Sequence, residues 1–281
     1  MTKDARRIEA ASGGSQGLTR FAARGHHRLS YEIRGAADGW PVLGLHDLLT
    51  PHGDLHALAA DGLRLILPDA RGHGASSTIS GRNYPMRELA ADDLAILDAE
   101  GAERFAVVAV GWSAAIALAL ATMAPGRVAS VTLVAPYLPA VLVQSTDPET
   151  HDLGAEHEDR LHAAADAADR GQRDRAIDLL FGLRVGANWR DRLSTSQQAA
   201  ARRGAADLAP LLNGSLAAFR DESALSAIET PVRIMFSADA PRVVKLVSAR
   251  LDEVLPRAVI NREVPPGGEL AAVSAMLLDR E

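Results

Sequence analysis

An uncharged stretch from Phe105 to Pro125 constrains the fold more than any other part of the chain. Its first half is rich in β-branched residues, a Gly-Trp-Ser turn follows, and the second half, from Ala114 to Met123, consists mostly of alanine and leucine. Such a stretch is long enough to cross a bilayer, but the change in composition at the turn is typical of a buried parallel strand followed by a buried helix. We therefore predict a strand–turn–helix unit at the centre of an α/β fold.

The remaining apolar segments repeat this alternation of strand and helix. Short apolar or alternating runs predict the strands, and apolar spacing of helical period predicts a helix that begins after Pro85 and ends near Gly101. Together they predict an α/β fold with a mostly parallel central sheet that is covered by helices on both faces. The predicted strands are His27–Arg34, Val42–Leu45, Leu63–Leu67, Phe105–Val110, Val128–Val134, Val232–Phe236 and Ala258–Val264.

The strand signal disappears between Tyr137 and about Ser226, where the apolar spacing becomes helical. We predict that residues 137–226 form a helical cap inserted into a core made of residues 17–136 and 227–281. Residues 1–16 are polar and lack the apolar centre of a signal peptide, which predicts a flexible N-terminal tail.

Composition narrows the classes of function. The formal charge is -6, and the 30 basic residues are scattered among 36 acidic ones, so the chain has no basic stripe for nucleic acid. The lack of cysteine excludes disulfides and thiolate nucleophiles and favours a cytoplasmic location. We expect a small-molecule ligand or substrate as partner, no membrane and no cofactor. Oligomeric state is left open, with a homodimer among the options.

Three motifs follow successive predicted strands. The pair Leu-His ends one strand at residues 45–46, the run D-A-R-G-H-G-A-S at residues 69–76 follows the next, and G-W-S-A-A at residues 111–115 comes about forty residues later. In this order they resemble the motifs of the α/β-hydrolase superfamily with a helical cap, from about Leu18 to the C-terminus, apart from the details of the cap. The resemblance implies the α/β-hydrolase fold and a sharp strand-to-helix turn, the nucleophile elbow, that presents Ser113.

The same resemblance implies roles for residues around the elbow. Ser113 stands at the nucleophile position, and the backbone N–H groups of Leu48 and Ala114 stand at the oxyanion hole. Asp47 replaces the glycine that the family usually has after the histidine. Its carboxylate either opposes a developing negative oxygen or points outward as a solvated turn residue.

Further pocket residues are expected in the loops that flank the elbow. His46 and Trp112 are next to the oxyanion-hole and nucleophile positions, and His52 follows in the same loop as His46. We expect His46 to be a structural histidine, since a histidine at this position is more often structural than catalytic.

The positions of the catalytic acid and histidine are both replaced. After the Val232 strand, alignment through Pro241 puts Ala240 at the acid position, with Asp239 as its neighbour. After the last strand, Glu269 stands at the position of the histidine, and no histidine follows His162. A serine without an imidazole has no group to accept and pass on its proton, and such a loss costs on the order of 10⁴ to 10⁶ in rate.

Three hypotheses follow, in order of preference. The first is a hydrolase-fold protein that binds a small apolar or carbonyl-containing ligand between core and cap without turnover. The second is a non-hydrolytic enzyme, of the proton-transfer, lyase or cyclisation type, that uses Glu269 as acid and base, although a glutamate at the start of the C-terminal helix is also a common surface residue. The third is an esterase-like hydrolase with a displaced histidine, taken from His52, His56, His151, His157 and His162.

No metal site is expected from the sequence. His52 and His56 have the spacing of two ligands on one helical face. They lack the glutamate that follows the first histidine in the zinc-protease motif, and no third ligand is evident from the sequence.

Overall fold

A nine-stranded sheet forms the centre of the computed structural model, which describes residues 7–9, 17–184, 186, 188–264 and 267–278. The strand order is β1-β2-β3-β5-β4-β6-β7-β8-β9. Pairing is antiparallel from β1 to β5 and parallel from β5 to β9, as the sequence predicted for most of the sheet. The strands are β1 (Arg7–Glu9), β2 (Leu18–Arg24), β3 (His27–Gly35), β4 (Trp40–Leu45), β5 (Leu63–Pro68), β6 (Phe105–Val110), β7 (Val128–Val134), β8 (Val232–Ser237) and β9 (Ala258–Val264).

Helices cover both faces of the sheet. Four short 3₁₀ helices lie at His52–Leu58, Gly111–Ser113, Pro139–Gln144 and Ala205–Asp207 of the described chain. The α-helices are α1 (Met86–Ala99), α2 (Ala114–Met123), α3 (Pro148–Asp169), α4 (Arg173–Arg184), α5 (Trp189–Arg192), α6 (Thr195–Gly204), α7 (Leu208–Leu216), α8 (Ser223–Ser226), α9 (Arg242–Val254) and α10 (Glu269–Leu278).

Two hydrophobic cores lie on opposite faces of the sheet, because successive side chains of a strand point to opposite sides. Leu43 and Val107 belong to the larger core, together with residues of α1, α2 and α9. Val42 and Val108, one position away on the same strands, belong to the smaller core under α10 and the 3₁₀ helix His52–Leu58. The α/β fold with helices on both faces is therefore confirmed.

The uncharged stretch forms β6 and α2, as predicted. All six residues of the strand FAVVAV are buried or half-buried, and residues 114–121 of α2 are buried throughout. No helix in the described ranges is long and apolar enough to cross a membrane. Location in the cytoplasm stays a prediction.

The described residues between β7 and β8 form helices and no strand. These helices contact the loops at the carboxyl edge of the sheet. The N–H of Ile79 donates to Asp207 Oδ1 at 3.1 Å, and Gln197 Nε2 donates to Asp54 Oδ2 at 3.2 Å. A cap with boundaries at 137 and 226 and a core of residues 17–136 and 227–281 stay predictions.

The N-terminal region differs from the expected flexible tail. Residues Arg7–Glu9 form β1, which pairs with Arg20–Ala22 of β2. An added strand satisfies backbone groups that the edge of β2 would otherwise leave unpaired. The expectation for residues 1–6 and 10–16 lies outside the described residues.

Candidate active site

Ser113 lies at the turn from β6 to α2, at the carboxyl edge of the sheet. The turn is the 3₁₀ helix Gly111–Ser113, and Gly111 has a φ of 58°. This left-handed conformation is cheap for glycine and strained for residues with a side chain. Space is also limited there, because a Cβ at Gly111 would lie 2.5 Å from Asp47 Oδ1. The sharp strand-to-helix turn is therefore present, but Ser113 itself has right-handed helical angles (φ -67°, ψ -6°) and not the strained backbone expected of a nucleophile elbow.

The hydroxyl of Ser113 is turned away from solvent. Ser113 is 1% exposed, and its Oγ donates a short hydrogen bond to the backbone carbonyl of His46. A carbonyl oxygen accepts a hydrogen bond but cannot carry away the proton, so this contact does not activate the serine. Within the part of the chain that the structure describes, no histidine ring nitrogen is hydrogen-bonded to this hydroxyl.

Asp47 occupies the region of the predicted oxyanion hole. Its Oδ1 accepts from the backbone N–H of Leu48 at 2.8 Å and from that of Trp112 at 2.9 Å. The other expected donor, the N–H of Ala114, bonds to the carbonyls of Gly111 and Trp112 within the turn. The N–H groups expected to stabilise an oxyanion are thus already engaged, and a carboxylate beside them disfavours negative charge on a substrate.

His46 and His73, which we call the inner pair, support the loops after β4 and β5. The backbone N–H of Ala70 donates to His46 Nε2 at 3.1 Å, and that of Leu49 donates to His73 Nε2 at 3.0 Å. Burial lowers the pKa of His46, and it lowers the pKa of His73 to about 3, with the charge of His46 acting in the same direction. Both rings are neutral and structural, as expected for His46.

Trp112 is 2% exposed. Its indole Nε1–H is buried and has no hydrogen-bond acceptor among the described residues. A buried donor without an acceptor costs about 1–3 kcal/mol. This side chain therefore offers one unsatisfied donor next to Ser113 in the sequence.

Within the described residues, the loops after β8 and β9 bring no acid or base into hydrogen-bonding contact with Ser113. Ala240 packs on the larger core, and its N–H donates to the carbonyl of Ser237 at 3.0 Å in a tight turn. Asp239, its neighbour, is exposed. Glu269 is the first residue of α10 and half-buried, which fits the interpretation as a helix-terminal surface residue. No described hydrogen bond joins any of these residues to Ser113.

The histidines between β7 and β8 have other partners or face solvent. The hydroxyl of Tyr137 lies 2.9 Å from His157 Nδ1. His151 Nδ1 is 3.3 Å from Asp152 Oδ1, and His162 is exposed. None of these described contacts supplies the displaced base of the third hypothesis.

His52 and His56, which we call the outer pair, point to a carboxylate that sequence reasoning missed. His52 Nε2 lies 3.0 Å and His56 Nε2 3.1 Å from Glu32 Oε2. His52 Nδ1 lies 2.7 Å from Asp69 Oδ1. Although burial alone would lower the pKa of His52, its contacts with Asp69 and Glu32 outweigh burial and raise it.

Glu32, His52 and His56 could hold a metal ion, because their ligand atoms lie within 4.8 Å of one another. The sequence argument against a metal rested on the lack of the zinc-protease glutamate and of an evident third ligand. The structure brings Glu32 to the two histidines as a possible third ligand, and the absence of a metal stays a prediction. Glu32 lies on β3, next to β5 in the sheet, so the fold brings a distant carboxylate to the histidines. Only the burial of a glutamate on a predicted strand could have hinted at it.

A small cavity beside Ser113 shows further residues that the sequence analysis missed. Its volume is about 10 Å³, enough for one water, and its lining includes Arg71, Asp92 and Asp93. Burial and the charge of Asp92 raise the pKa of Asp93 well above its usual range. The sequence did contain a signal for the burial of Asp93. It lies four residues from both Leu89 and Leu97, and so on the apolar face of the helix.

Comparison with known proteins agrees with the fold. A family model described as alpha/beta hydrolase fold matches residues 47–176. The chain is 37% identical over 112 residues to the proposed carbamate hydrolase RutD of Variovorax paradoxus strain S110, over 38% of this chain and 41% of that protein. It is 40% identical over 76 residues to epoxide hydrolase B of Mycobacterium tuberculosis strain H37Rv, over 27% of this chain and 21% of that protein. Each match spans less than half the length of the curated relative.

Solved structures extend the likeness to nearly the whole chain. An α/β hydrolase from Sphaerobacter thermophilus DSM 20745 superposes with a TM-score of 0.70 at 19% identity, over 90% of this chain and 96% of that one. The segment matched by the family model contains Asp47 and Ser113 but ends before Ala240 and Glu269. The sheet order, the family match over residues 47–176 and the structural likeness together show that the chain has the α/β-hydrolase fold.

Proposed function

We propose that this chain is a hydrolase-fold protein that does not turn over esters through Ser113 and instead binds a small apolar or carbonyl-containing ligand between the sheet edge and the helical segment. The observation that carries the proposal is the position of Asp47. Its carboxylate holds the N–H groups of Leu48 and Trp112, so the site is filled by an internal anion. An ester substrate would have to develop a second negative charge beside it.

The indole of Trp112 supports a carbonyl-containing ligand. Its buried Nε1–H has no acceptor in the described ranges of the chain, and buried donors in folded proteins are nearly always paired. A ligand carbonyl would supply the acceptor. The leucines of the neighbouring loop, Leu48 and Leu49, are buried and give this region an apolar character.

The helical segment supports the place of binding. Gly204 of α6 packs against the loop after β4, since a Cβ there would lie 2.9 Å from Leu49 Cδ2. α6 thus contacts the loops after β4 and β5 directly. Ligand sites of this fold class lie at the carboxyl ends of the strands, which is the same edge.

Hydrolysis is tested with activated short-chain esters. We expect wild type and Ser113→Ala to give the same rate, close to that of buffer, because the serine lacks a proton acceptor. Brisk hydrolysis that disappears in Ser113→Ala would overturn the proposal. His52→Ala and His56→Ala would then show whether the outer pair supplies the base.

Binding is tested with a medium-chain methyl ketone and an alkene of the same shape. One hydrogen bond contributes about 0.5–1.5 kcal/mol, so Trp112→Phe should weaken ketone binding by roughly 2- to 12-fold and leave alkene binding unchanged. Trp40→Phe is the matched control. Trp40 lies at the start of β4, at the end of the strand away from Trp112, so this variant should change neither ketone nor alkene binding. Equal ketone affinity in Trp112→Phe and wild type would show that the indole N–H does not bind the ligand carbonyl.

A further inference from the structure

The outer pair and Glu32 converge on one point. Glu32 comes from β3, and both histidines come from the 3₁₀ helix His52–Leu58. The two Nε2 atoms lie 3.0 Å and 3.1 Å from the same carboxylate oxygen. Tetrahedral ligands at 2.0–2.1 Å from a zinc ion are separated by roughly 3.3 Å. The two histidine–glutamate separations therefore need only a small widening to admit an ion, and the two Nε2 atoms lie within 4.8 Å of each other.

Asp69 sets the orientation of the nearer ring. Its Oδ1 lies 2.7 Å from His52 Nδ1, so this nitrogen carries a proton and donates it to the carboxylate. The contact between His52 Nε2 and Glu32 Oε2 at 3.0 Å is favourable when a proton lies between the two atoms, and a metal ion bound there would take the place of this proton.

We propose that Glu32, His52 and His56 form a binding site for one divalent transition-metal ion of the zinc class. The ligands are Glu32 Oε2 and the Nε2 atoms of the two histidines. Two imidazoles and one carboxylate suit zinc and related ions better than magnesium or calcium, which prefer oxygen ligands. Asp69 is the outer carboxylate that commonly accepts the second ring proton of a metal-bound histidine.

The surroundings hold the carboxylate in place and leave the site accessible. The backbone of Gly17 packs on Glu32, since a Cβ there would meet its carboxylate. Arg34 forms an ion pair with Oε1 of Glu32. This pairing leaves Oε2 for the metal and partly neutralises the negative charge of the carboxylate. The side chain of Glu32 is 9% exposed, whereas those of His52 and His56 are 22% and 36% exposed. An ion therefore reaches the site from solvent.

The metal would join β3 to the 3₁₀ helix that follows β4. This link acts on the fold and does not involve Ser113, so the proposal stands apart from the proposed ligand-binding function. Because the folded chain preassembles the ligands, binding should stabilise the folded state in proportion to the logarithm of zinc concentration.

The test uses the full chain without an affinity tag, stripped with a chelator and then dialysed against Zn²⁺. We expect one zinc per chain by elemental analysis and a melting temperature that rises with zinc concentration. His56→Ala and Glu32→Gln should each weaken zinc binding by at least 100-fold. Asp69→Asn, which removes only the outer carboxylate, should weaken it by about 10- to 100-fold.

His151→Ala is the matched control, because His151 is exposed and also has a carboxylate neighbour, Asp152. It should bind zinc like wild type. Circular dichroism in chelator verifies that each variant is folded. His56→Ala is the decisive variant, because His56 is the most exposed of the three ligands and its replacement should disturb the fold least. Wild type that binds no zinc, or equal loss in His56→Ala and His151→Ala, would overturn the proposal.

Discussion

Two pairs of histidines lie at the same edge of the sheet and differ in what surrounds them. The inner pair, His46 and His73, is buried, and each Nε2 accepts from a backbone N–H. The outer pair, His52 and His56, is partly exposed, and each Nε2 points to Glu32 Oε2. Burial and hydrogen-bond partners, and not residue type, thus decide that the inner pair is neutral and structural while the outer pair faces a carboxylate.

The difference also explains why neither pair activates Ser113. The inner pair is close in the fold, but only the backbone carbonyl of His46 reaches the serine hydroxyl. The outer pair has an Asp–His arrangement, in which Asp69 orients His52, as catalytic bases require. That arrangement is directed at Glu32. The chain therefore contains an oriented imidazole and an elbow serine that do not meet.

The largest expected effect concerns the packing of the elbow. Gly111 and Gly25 have nearly the same φ, 58° and 60°, but a Cβ at Gly111 would meet the Asp47 carboxylate while nothing lies within 4 Å at Gly25. We expect Gly111→Ala to lower the free energy of unfolding by about 3–4 kcal/mol, from backbone strain plus overpacking. Gly25→Ala should cost about 1 kcal/mol, from strain alone. Urea denaturation measures both.

A double variant isolates the steric part of this effect. In Asp47→Ala, the carboxylate that a Cβ at Gly111 would strike is absent. The added cost of Gly111→Ala should then shrink towards that of Gly25→Ala. If the cost of Gly111→Ala stayed the same in the Asp47→Ala background, the Asp47 carboxylate would not be the group that limits space at the turn.

The second prediction concerns the acid sensitivity of the inner pair. The folded-state pKa of His73, about 3, lies below its ordinary value of 6.5. As pH falls, the unfolded chain therefore takes up the proton first. The contribution of neutral His73 to the free energy of unfolding is fully present above pH 6.5 and is lost as the pH falls towards 3. At about pH 4.5, two pH units below the ordinary pKa, this loss amounts to roughly 3 kcal/mol.

His73→Gln keeps an acceptor for the N–H of Leu49 and cannot take up a proton. Urea denaturation between pH 7.5 and pH 4.5 should give a smaller loss of stability for this variant than for wild type. His151→Gln, at an exposed site, should follow wild type. Equal pH dependence in all three proteins would show that His73 is not held neutral.

Much of the fold could be predicted because burial leaves a local signal. The apolar run of β6 and the all-round apolar α2 are adjacent in the sequence, so their pattern identified the centre of the sheet. β2 gave no such signal, because Arg20 and Arg24 make it look like a polar loop. Their charges are paired with Glu100 and Asp92 of a distant segment, which only the folded chain brings near.

The candidate site was predictable where it lies within one loop and not where it joins several. Motifs along the chain predicted the strand-to-helix turn at Ser113, and they led to the expectation that Ala240 and Glu269 replace the catalytic acid and base. Two interpretations of Asp47 stayed open, because its carboxylate meets the N–H of Trp112, which is 65 residues away. Glu32 was missed for the same reason, since its contacts with the outer pair depend on strand order.

The smallest expected effect concerns the outer pair without metal. In chelator, His56→Ala should lower the free energy of unfolding by less than about 1 kcal/mol, because a partly exposed ion pair with Glu32 contributes little. With zinc present, the difference between wild type and His56→Ala should grow, since only wild type gains binding energy. Urea denaturation with and without zinc measures this, with His151→Ala as control. A cost above about 2 kcal/mol in chelator would mean that the outer pair supports the fold by itself, and the contrast with the inner pair would fail.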